Sequence, residues 1–181
     1  MVRLAIFDVD HTITRRSTGR RLVQCGIRHG LFSAGSLLSL PYHYLRYRAG
    51  KINIERAIAA LGRLEGCCRD DLVAVAVDCY HRRVSADIID AARSAIDRHR
   101  DAGDTIVLAT SSLELIVAPL AVHLNAEHLI ATNLEFRDGL ATGLLEGGPC
   151  LGDEKRRRVD SLAASIGADL KDAWFYSDSH L

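Results

Sequence analysis

The sequence predicts an α/β protein built on a parallel sheet and interrupted near its start by a run of helices. Three observations carry that reading. Short apolar runs without helical periodicity recur at residues 2–7, 105–110, 128–133 and 173–176, as buried parallel strands do. Between Thr14 and Val84 no such run occurs, and apolar residues fall at helical spacing instead. From Ser85 onward helical and strand patterns alternate, which implies a parallel sheet with covering helices.

The first strand, Val2 to Phe7, runs into Asp8-Val9-Asp10-His11-Thr12. Its two carboxylates sit at a strand's carboxyl end, the edge where open α/β sheets bind ligands. Alone, the same residues would also suit a solvated turn. Residues 15–84 form the helical insertion, with apolar stripes at Leu22, Val23 and Ile27, at Ile54, Ile58 and Leu61, and at Leu72, Val73, Ala76, Val77 and Tyr80. Asn53 and Asp70 are candidate N-caps, and Pro41, Gly50, Gly62 and Gly66 punctuate the connections.

Ser85 is then expected to cap a helix through Ile88, Ile89, Ala92, Ala95 and Ile96 that ends before Gly103. The second strand, Thr105 to Thr110, precedes Ser111 and Ser112, and Ser112 is placed to cap a helix that Pro119 should kink or interrupt. The third strand, His128 to Asn133, leads to a hairpin at Arg137-Asp138-Gly139. Gly147 to Gly152 approaches a helix that starts at Asp153-Glu154-Lys155, buries Val159, Leu162, Ala163 and Ile166, and stops at Gly167. The fourth strand, Ala173 to Tyr176, delivers Asp178. The resulting domain division is 1–14 and 85–181 for the core and 15–84 for the insertion.

Whole-chain properties bound the function. With 181 residues the chain can bury one core plus an appendage. Lys+Arg and Asp+Glu both total 23, for a formal net charge of +0, so nucleic acid is not an expected partner. The five cysteines are an odd number and lack paired zinc-type spacing, which reads as reduced thiols in the cytoplasm. No signal peptide or transmembrane helix is expected. Local charge is uneven: from His11 to Ile54 there is no acid, while Arg15, Arg16, Arg20, Arg21, Arg28, Arg46, Arg48 and Lys51 are basic. Charge runs are usually solvated faces, yet so long an absence of acids suits an anion-facing surface. Residues 37–48 mix aliphatic, aromatic and cationic groups, a composition compatible with peripheral membrane contact but more often used for packing.

A parallel sheet brings Asp8, Asp10, Thr110, Ser111 and Asp178 to one edge, with Lys155 at a helix start nearby. Carboxylates, hydroxyls and one ammonium suit metal-assisted phosphoryl transfer, because clustered acids repel unless a cation such as Mg²⁺ joins them. No His or Cys shows a partner for triad chemistry.

At this point the sequence resembles the haloacid dehalogenase superfamily, in its phosphoserine-phosphatase-like branch with a helical cap. The first motif is similar to Asp8-Val9-Asp10-His11-Thr12, the second to Leu108-Ala109-Thr110-Ser111-Ser112, the third to Gly152-Asp153-Glu154-Lys155 and the fourth to Tyr176-Ser177-Asp178-Ser179. The resemblance implies a Rossmann-like core and a Mg²⁺-dependent phosphomonoester hydrolase acting on a small phosphorylated metabolite. Asp8 would be the nucleophile and Asp10 the proton shuttle, with its carbonyl also on the metal. Thr110 and Ser111 would bind the phosphoryl group, Lys155 would neutralise charge, and Asp8, Asp10 and Asp178 would hold Mg²⁺. Read separately, Thr110 could cap the following helix, Asp178 could be a turn residue, Arg156, Arg157 and Arg158 read as a solvated face, and His11 as a loop residue without chemistry. The branch carries a second acid four residues after the position of Asp178, just past Leu181, and a further strand and helix, so by this resemblance the sequence is expected to stop short of that acid and to lack the final core strand. Two other readings stay open: a catalytically impaired anion-binding module, and a lipid-phosphate phosphatase at a membrane surface. Phosphoserine itself is disfavoured, because Arg15, Arg16, Arg20 and Arg21 stand where that branch presents an acid to an ammonium.

Overall fold

The computed structural model describes residues 2–31 and 62–178. Five strands form one sheet in the order β4-β3-β2-β1-β5, with β1 Leu4–Phe7, β2 Thr105–Leu113, β3 His128–Arg137, β4 Leu140–Glu146 and β5 Trp174–Tyr176. β3, β2, β1 and β5 run parallel, and β4 returns antiparallel through the hairpin. Five α-helices are described: α1 Thr18–Arg28, α2 Arg69–Cys79, α3 Asp90–Asp101, α4 Glu114–His123 and α5 Asp153–Ile166. Among the described residues no helix is long and apolar enough to cross a membrane.

Alternation along the strands divides the core into two layers. Ala5, Phe7, Ile106 and Leu108 face one side and pack with Ala95 and Ile96 of α3, Ile116, Val117 and Leu120 of α4, Val75, Ala76 and Cys79 of α2, and Cys25 of α1. Leu4, Ile6, Val107 and Ala109 face the other, under Val159 and Ala163 of α5. Both sheet faces are therefore covered, which is why β1 and β2 read as continuous apolar runs.

Several local expectations are corrected. The inward face of α2 is Leu72, Val75, Ala76 and Cys79, whereas Val73 and Val77 are exposed. Its N-cap is Cys68, leaving Asp70 in the first turn, because residues 66–69 are first used as a strip against β4: Gly66 N–H and Arg69 N–H donate to the carbonyls of Ala141 and Gly139. Ser85 does not cap a helix; its Oγ donates to the His81 carbonyl and α3 begins at Asp90. The cause is tertiary. Ile89 N–H donates to the Ile13 carbonyl and Arg15 N–H to the Asp87 carbonyl, so Ile88 and Ile89 are held extended beside residues 13–15. Pro119 lies inside an uninterrupted α4; burial of Ile116, Val117 and Leu120 outweighs the lost hydrogen bond. Asn53, Pro41, Gly50, the stripe at Ile54, Ile58 and Leu61, and the segment 37–48 with Arg46, Arg48 and Lys51 lie outside the described residues.

Candidate active site

The strand ends at 8–14, 110–113 and 177–178 meet the start of α5. Asp8 leaves β1 with its N–H donated to the Tyr176 carbonyl of β5. Its Oδ1 accepts from Val9 N–H at 2.8 Å and faces Lys155 Nζ at 3.1 Å. Burial pushes the Asp8 carboxyl above its usual value; Lys155, first by charge and then by hydrogen bond, and the Val9 N–H pull it back, and the nearby Asp10 charge adds to the rise. Lys155 is delivered by the first turn of α5, whose preceding Gly152 has φ +52°, a backbone that a side chain would strain.

Asp10 lies in a tight loop in which the Val9 carbonyl accepts from Ile13 N–H at 2.9 Å and Thr14 N–H at 3.0 Å. Both oxygens of its carboxylate are engaged. Oδ1 accepts from Thr18 N–H at 2.9 Å and meets Thr18 Oγ1 at 2.8 Å, and Oδ2 meets Ser112 Oγ at 3.2 Å. The hydroxyls of Thr18 and Ser112 are themselves 2.7 Å apart. Asp10 thus closes the N-terminus of α1, where a free N–H and the helix dipole favour an anion.

The second strand carries a finding that sequence rules miss. β2 continues past Thr110 to Leu113, and its pairing with β3 shifts between Ala109↔Ile130 and Leu113↔Thr132. Two extra residues are accommodated, so Thr110, Ser111 and Ser112 form an outward bulge, a device that re-aims side chains. Ser112 does not cap α4. Leu113 is the N-cap, without a side-chain bond, because the Ser112 hydroxyl is engaged by Asp10. Nor does Thr110 cap the helix: it is buried, and its Oγ1 accepts the Ser112 N–H at 3.1 Å. Ser111 is exposed, and its carbonyl accepts from Thr132 Oγ1, which in turn accepts from Cys150 N–H. Thr132 therefore ties the bulge to the loop that approaches α5.

Asp178 is exposed, and its N–H donates to Thr12 Oγ1 at 3.0 Å, linking the ends of β5 and the first motif. The reading of Arg156 to Arg158 as one solvated face holds for Arg156 and Arg157 only. Arg158 is mostly buried and donates to the carbonyls of Ala131, Gly147 and Gly148 and to Glu154, which fixes α5 against the end of β3. Arg157 and Arg158 hold the Glu154 carboxyl down at about 2. Among the early arginines, Arg15, Arg16, Arg20 and Arg28 are exposed. Arg21 is not part of a cationic entry: it is buried and bonded twice to Asp87.

Residues 5–181 match the haloacid dehalogenase-like hydrolase family. The chain belongs to that family. A Mycobacterium tuberculosis relative named phosphoserine phosphatase is 32% identical, covering 97% of this chain and 59% of that protein. A Neisseria meningitidis relative named histidinol-phosphatase is 28% identical, covering 99% of this chain and 83% of that protein. The solved structure of a Bordetella pertussis protein of unknown function superposes with a TM-score of 0.81 at 29% identity, covering 97% of this chain and 81% of that one. The chain spans between 59% and 65% of the length of most curated relatives that it matches.

In this haloacid dehalogenase-like site, Asp8 and Lys155 are in direct contact, while Asp10 and Ser112 form a second contact beside them. The donors at the sheet edge are carboxylate, carbonyl and hydroxyl oxygens, a set suited to a hard cation rather than a soft one. Among the described residues no three His, Cys, Asp or Glu side chains converge on one point, and the Asp10 carboxylate is engaged by Thr18 and Ser112. Sequence reasoning assigns nothing to Thr18 and Thr132, and reads Thr12 only as a motif member, Ser112 as a motif member and helix cap, and Arg158 as surface. Thr12 had a signal in the Asp-x-Asp-x-Thr spacing; the others are linked to the site by contacts 8 to 102 residues apart in the chain.

Proposed function

We propose that the full protein is a Mg²⁺-dependent phosphomonoester hydrolase that works through an acyl phosphate (aspartyl-phosphate) on Asp8. The observation that carries this reading is the Lys155 Nζ to Asp8 Oδ1 contact of 3.1 Å at the carboxyl edge of the sheet, with Asp10 held beside it. Val9 N–H and Lys155 engage Oδ1, so Oδ2 is the oxygen oriented to attack phosphorus. As the Oδ2–P bond forms, the bond from phosphorus to the leaving oxygen breaks, and Asp10, protonated at this stage, gives that oxygen its proton. Asp10, now a carboxylate, takes a proton from water; the resulting hydroxide attacks phosphorus and releases Asp8 and inorganic phosphate. Lys155 offsets the anionic charge gathered on Asp8 and the phosphoryl group, and Thr110 and Ser111 hold phosphoryl oxygens. Mg²⁺ held by Asp8, the Asp10 carbonyl and Asp178 would supply the remaining neutralisation between an anionic nucleophile and an anionic substrate.

Residues 1–14 and 85–181 form the catalytic core in this reading, and 15–84 the cap over it. The names phosphoserine phosphatase and histidinol-phosphatase borne by two relatives support a small phosphorylated metabolite as substrate. Exposed Arg15, Arg16 and Arg20 favour one more anionic than an amino-bearing phosphoester. Five free cysteines suit the cytoplasm.

The test uses the full-length protein. Mg²⁺-dependent hydrolysis of 4-nitrophenyl phosphate and a Mg²⁺-dependent beryllofluoride adduct on Asp8 are expected, both lost in Asp8→Ala. Turnover that survives this substitution overturns the mechanism, and phosphate binding with neither adduct nor turnover assigns the protein to the anion-binding class.

A further inference from the structure

We propose that Ser112, acting with Thr18, is a positioning residue that holds the Asp10 carboxyl for proton transfer to the leaving oxygen; the inference rests on the phosphatase reading above. Ser112 reaches Asp10 only because β2 bulges. Two more residues lie between the pairs Ala109↔Ile130 and Leu113↔Thr132 on β2 than on β3, and the bulge is fixed from both sides by Ser112 N–H to Thr110 Oγ1 and by Thr132 Oγ1 to the Ser111 carbonyl. A bulge held by dedicated hydroxyls is a built feature. It spends the residue best placed to cap α4, whose first turn is left without a side-chain cap. A Ser to Ala change at a helix N-cap costs about 1 kcal/mol, so withdrawing Ser112 from that role forgoes stability for the contact with Asp10.

Asp10 Oδ1, Thr18 Oγ1, Ser112 Oγ and Asp10 Oδ2 close a ring through contacts of 2.8, 2.7 and 3.2 Å, and Thr18 N–H adds a bond of 2.9 Å to Oδ1. Both oxygens of the Asp10 carboxyl are thus tied, Oδ1 to Thr18 and Oδ2 to Ser112, so these two residues set its orientation before the reaction begins, and a group already oriented avoids reorganisation at the proton transfer.

The consequence is a dependence on the leaving group. An alkoxide needs its proton as it departs, whereas 4-nitrophenoxide leaves without one, and general acid assistance is worth about 10²–10⁴-fold. In the full-length protein, Ser112→Ala should lower kcat/KM for glycerol 1-phosphate at least about tenfold more than for 4-nitrophenyl phosphate. Ser112→Thr, which restores the hydroxyl, should recover most of the difference. Thr18→Val, which keeps the N–H and the shape but removes the hydroxyl, should shift the ratio in the same direction, and Thr18→Ser should not. Equal losses on both substrates, or no loss on either, would overturn the proposal and leave Ser112 a merely structural residue. If Ser112→Ala does not fold, the Thr18 pair decides by the same ratio. Wild-type protein without Asp8-dependent hydrolysis of either substrate would instead sink the phosphatase reading on which the proposal stands.

Discussion

The Asp8 carboxyl is held above its ordinary value by burial. Burial disfavours the charge, while Lys155 and the Val9 N–H restore it only in part, so the carboxyl stays above its ordinary value. A carboxyl raised in the folded state contributes stability that is fully present below the unfolded value, about 3.9 for Asp, and is lost as pH rises through the folded one. At neutral pH and without Mg²⁺ the carboxylate therefore costs stability. Asp8→Asn should abolish turnover and, in chelator, slightly raise the Tm measured by calorimetry; a lowered Tm would show that Lys155 more than compensates the burial. The Arg21–Asp87 pair presents the reverse case. Its side chains are 9% and 11% exposed, with contacts of 2.6 and 2.9 Å. Asp87→Ala would strand a buried guanidinium and should cost about 3–5 kcal/mol in urea unfolding, whereas Arg21→Met with Asp87→Leu should recover much of that loss.

At the scale of elements, the hairpin joining β3 to β4 shows what local sequence can specify. Asp138 has φ +52° and Gly139 φ +79°, the paired positive angles that match a two-residue turn to strand twist. A Cβ on Gly139 would meet nothing within 4 Å, so Gly139→Ala should cost only the backbone penalty, about 1–2 kcal/mol. Gly143, at φ +77°, has Gly62 Cα 3.1 Å and Glu65 Cβ 3.3 Å from the same point. Gly143→Ala should therefore be the more damaging of the two by equilibrium denaturation. The hairpin and the strand ends bearing Asp8 and Asp178 were legible because turn chemistry and continuous apolar runs are local signals. Helix starts were not. Ser85, Ser112 and Asp70 all carry the right chemistry for a cap, but Ile13, Asp10 and the β4 strand claim the neighbouring backbone or side chain first. Arg21 and Arg158 failed for the same reason: their acceptors, Asp87 and the carbonyls of Ala131, Gly147 and Gly148, are brought up only by the tertiary fold.

Across the whole molecule, the end of the sheet opposite the active site is closed by one buried carboxylate. Asp104, with its side chain 2% exposed, pairs with Arg3 ahead of β1 and with His99 of α3 at 2.7 Å; His99 also meets the Tyr176 hydroxyl of β5 at 2.8 Å. Tyr176 stacks on Phe7 at 4.4 Å between ring centres, so this network and the aromatic pair together bind α3, β1, β2 and β5. Burial would raise the Asp104 carboxyl, but the bonds and charges of Arg3 and His99 together hold it below its ordinary value. A depressed carboxyl contributes stability that is present above the unfolded value, about 3.9, and lost as pH falls through that value toward the folded one. Asp8 acts in the opposite sense and on the other side of that value, where pH rises toward its own raised folded value, so the two effects occupy adjacent ranges of pH. In an Asp8→Asn background Tm should therefore fall below about pH 4 with the same slope as in wild type, while the decline that Asp8 causes as pH rises above that value should disappear. Adding Asp104→Asn should lower Tm at neutral pH and flatten that acid limb, because the carboxylate that loses its charge there is gone. An acid limb of unchanged slope in the double variant would place the acid-labile contact elsewhere in the molecule.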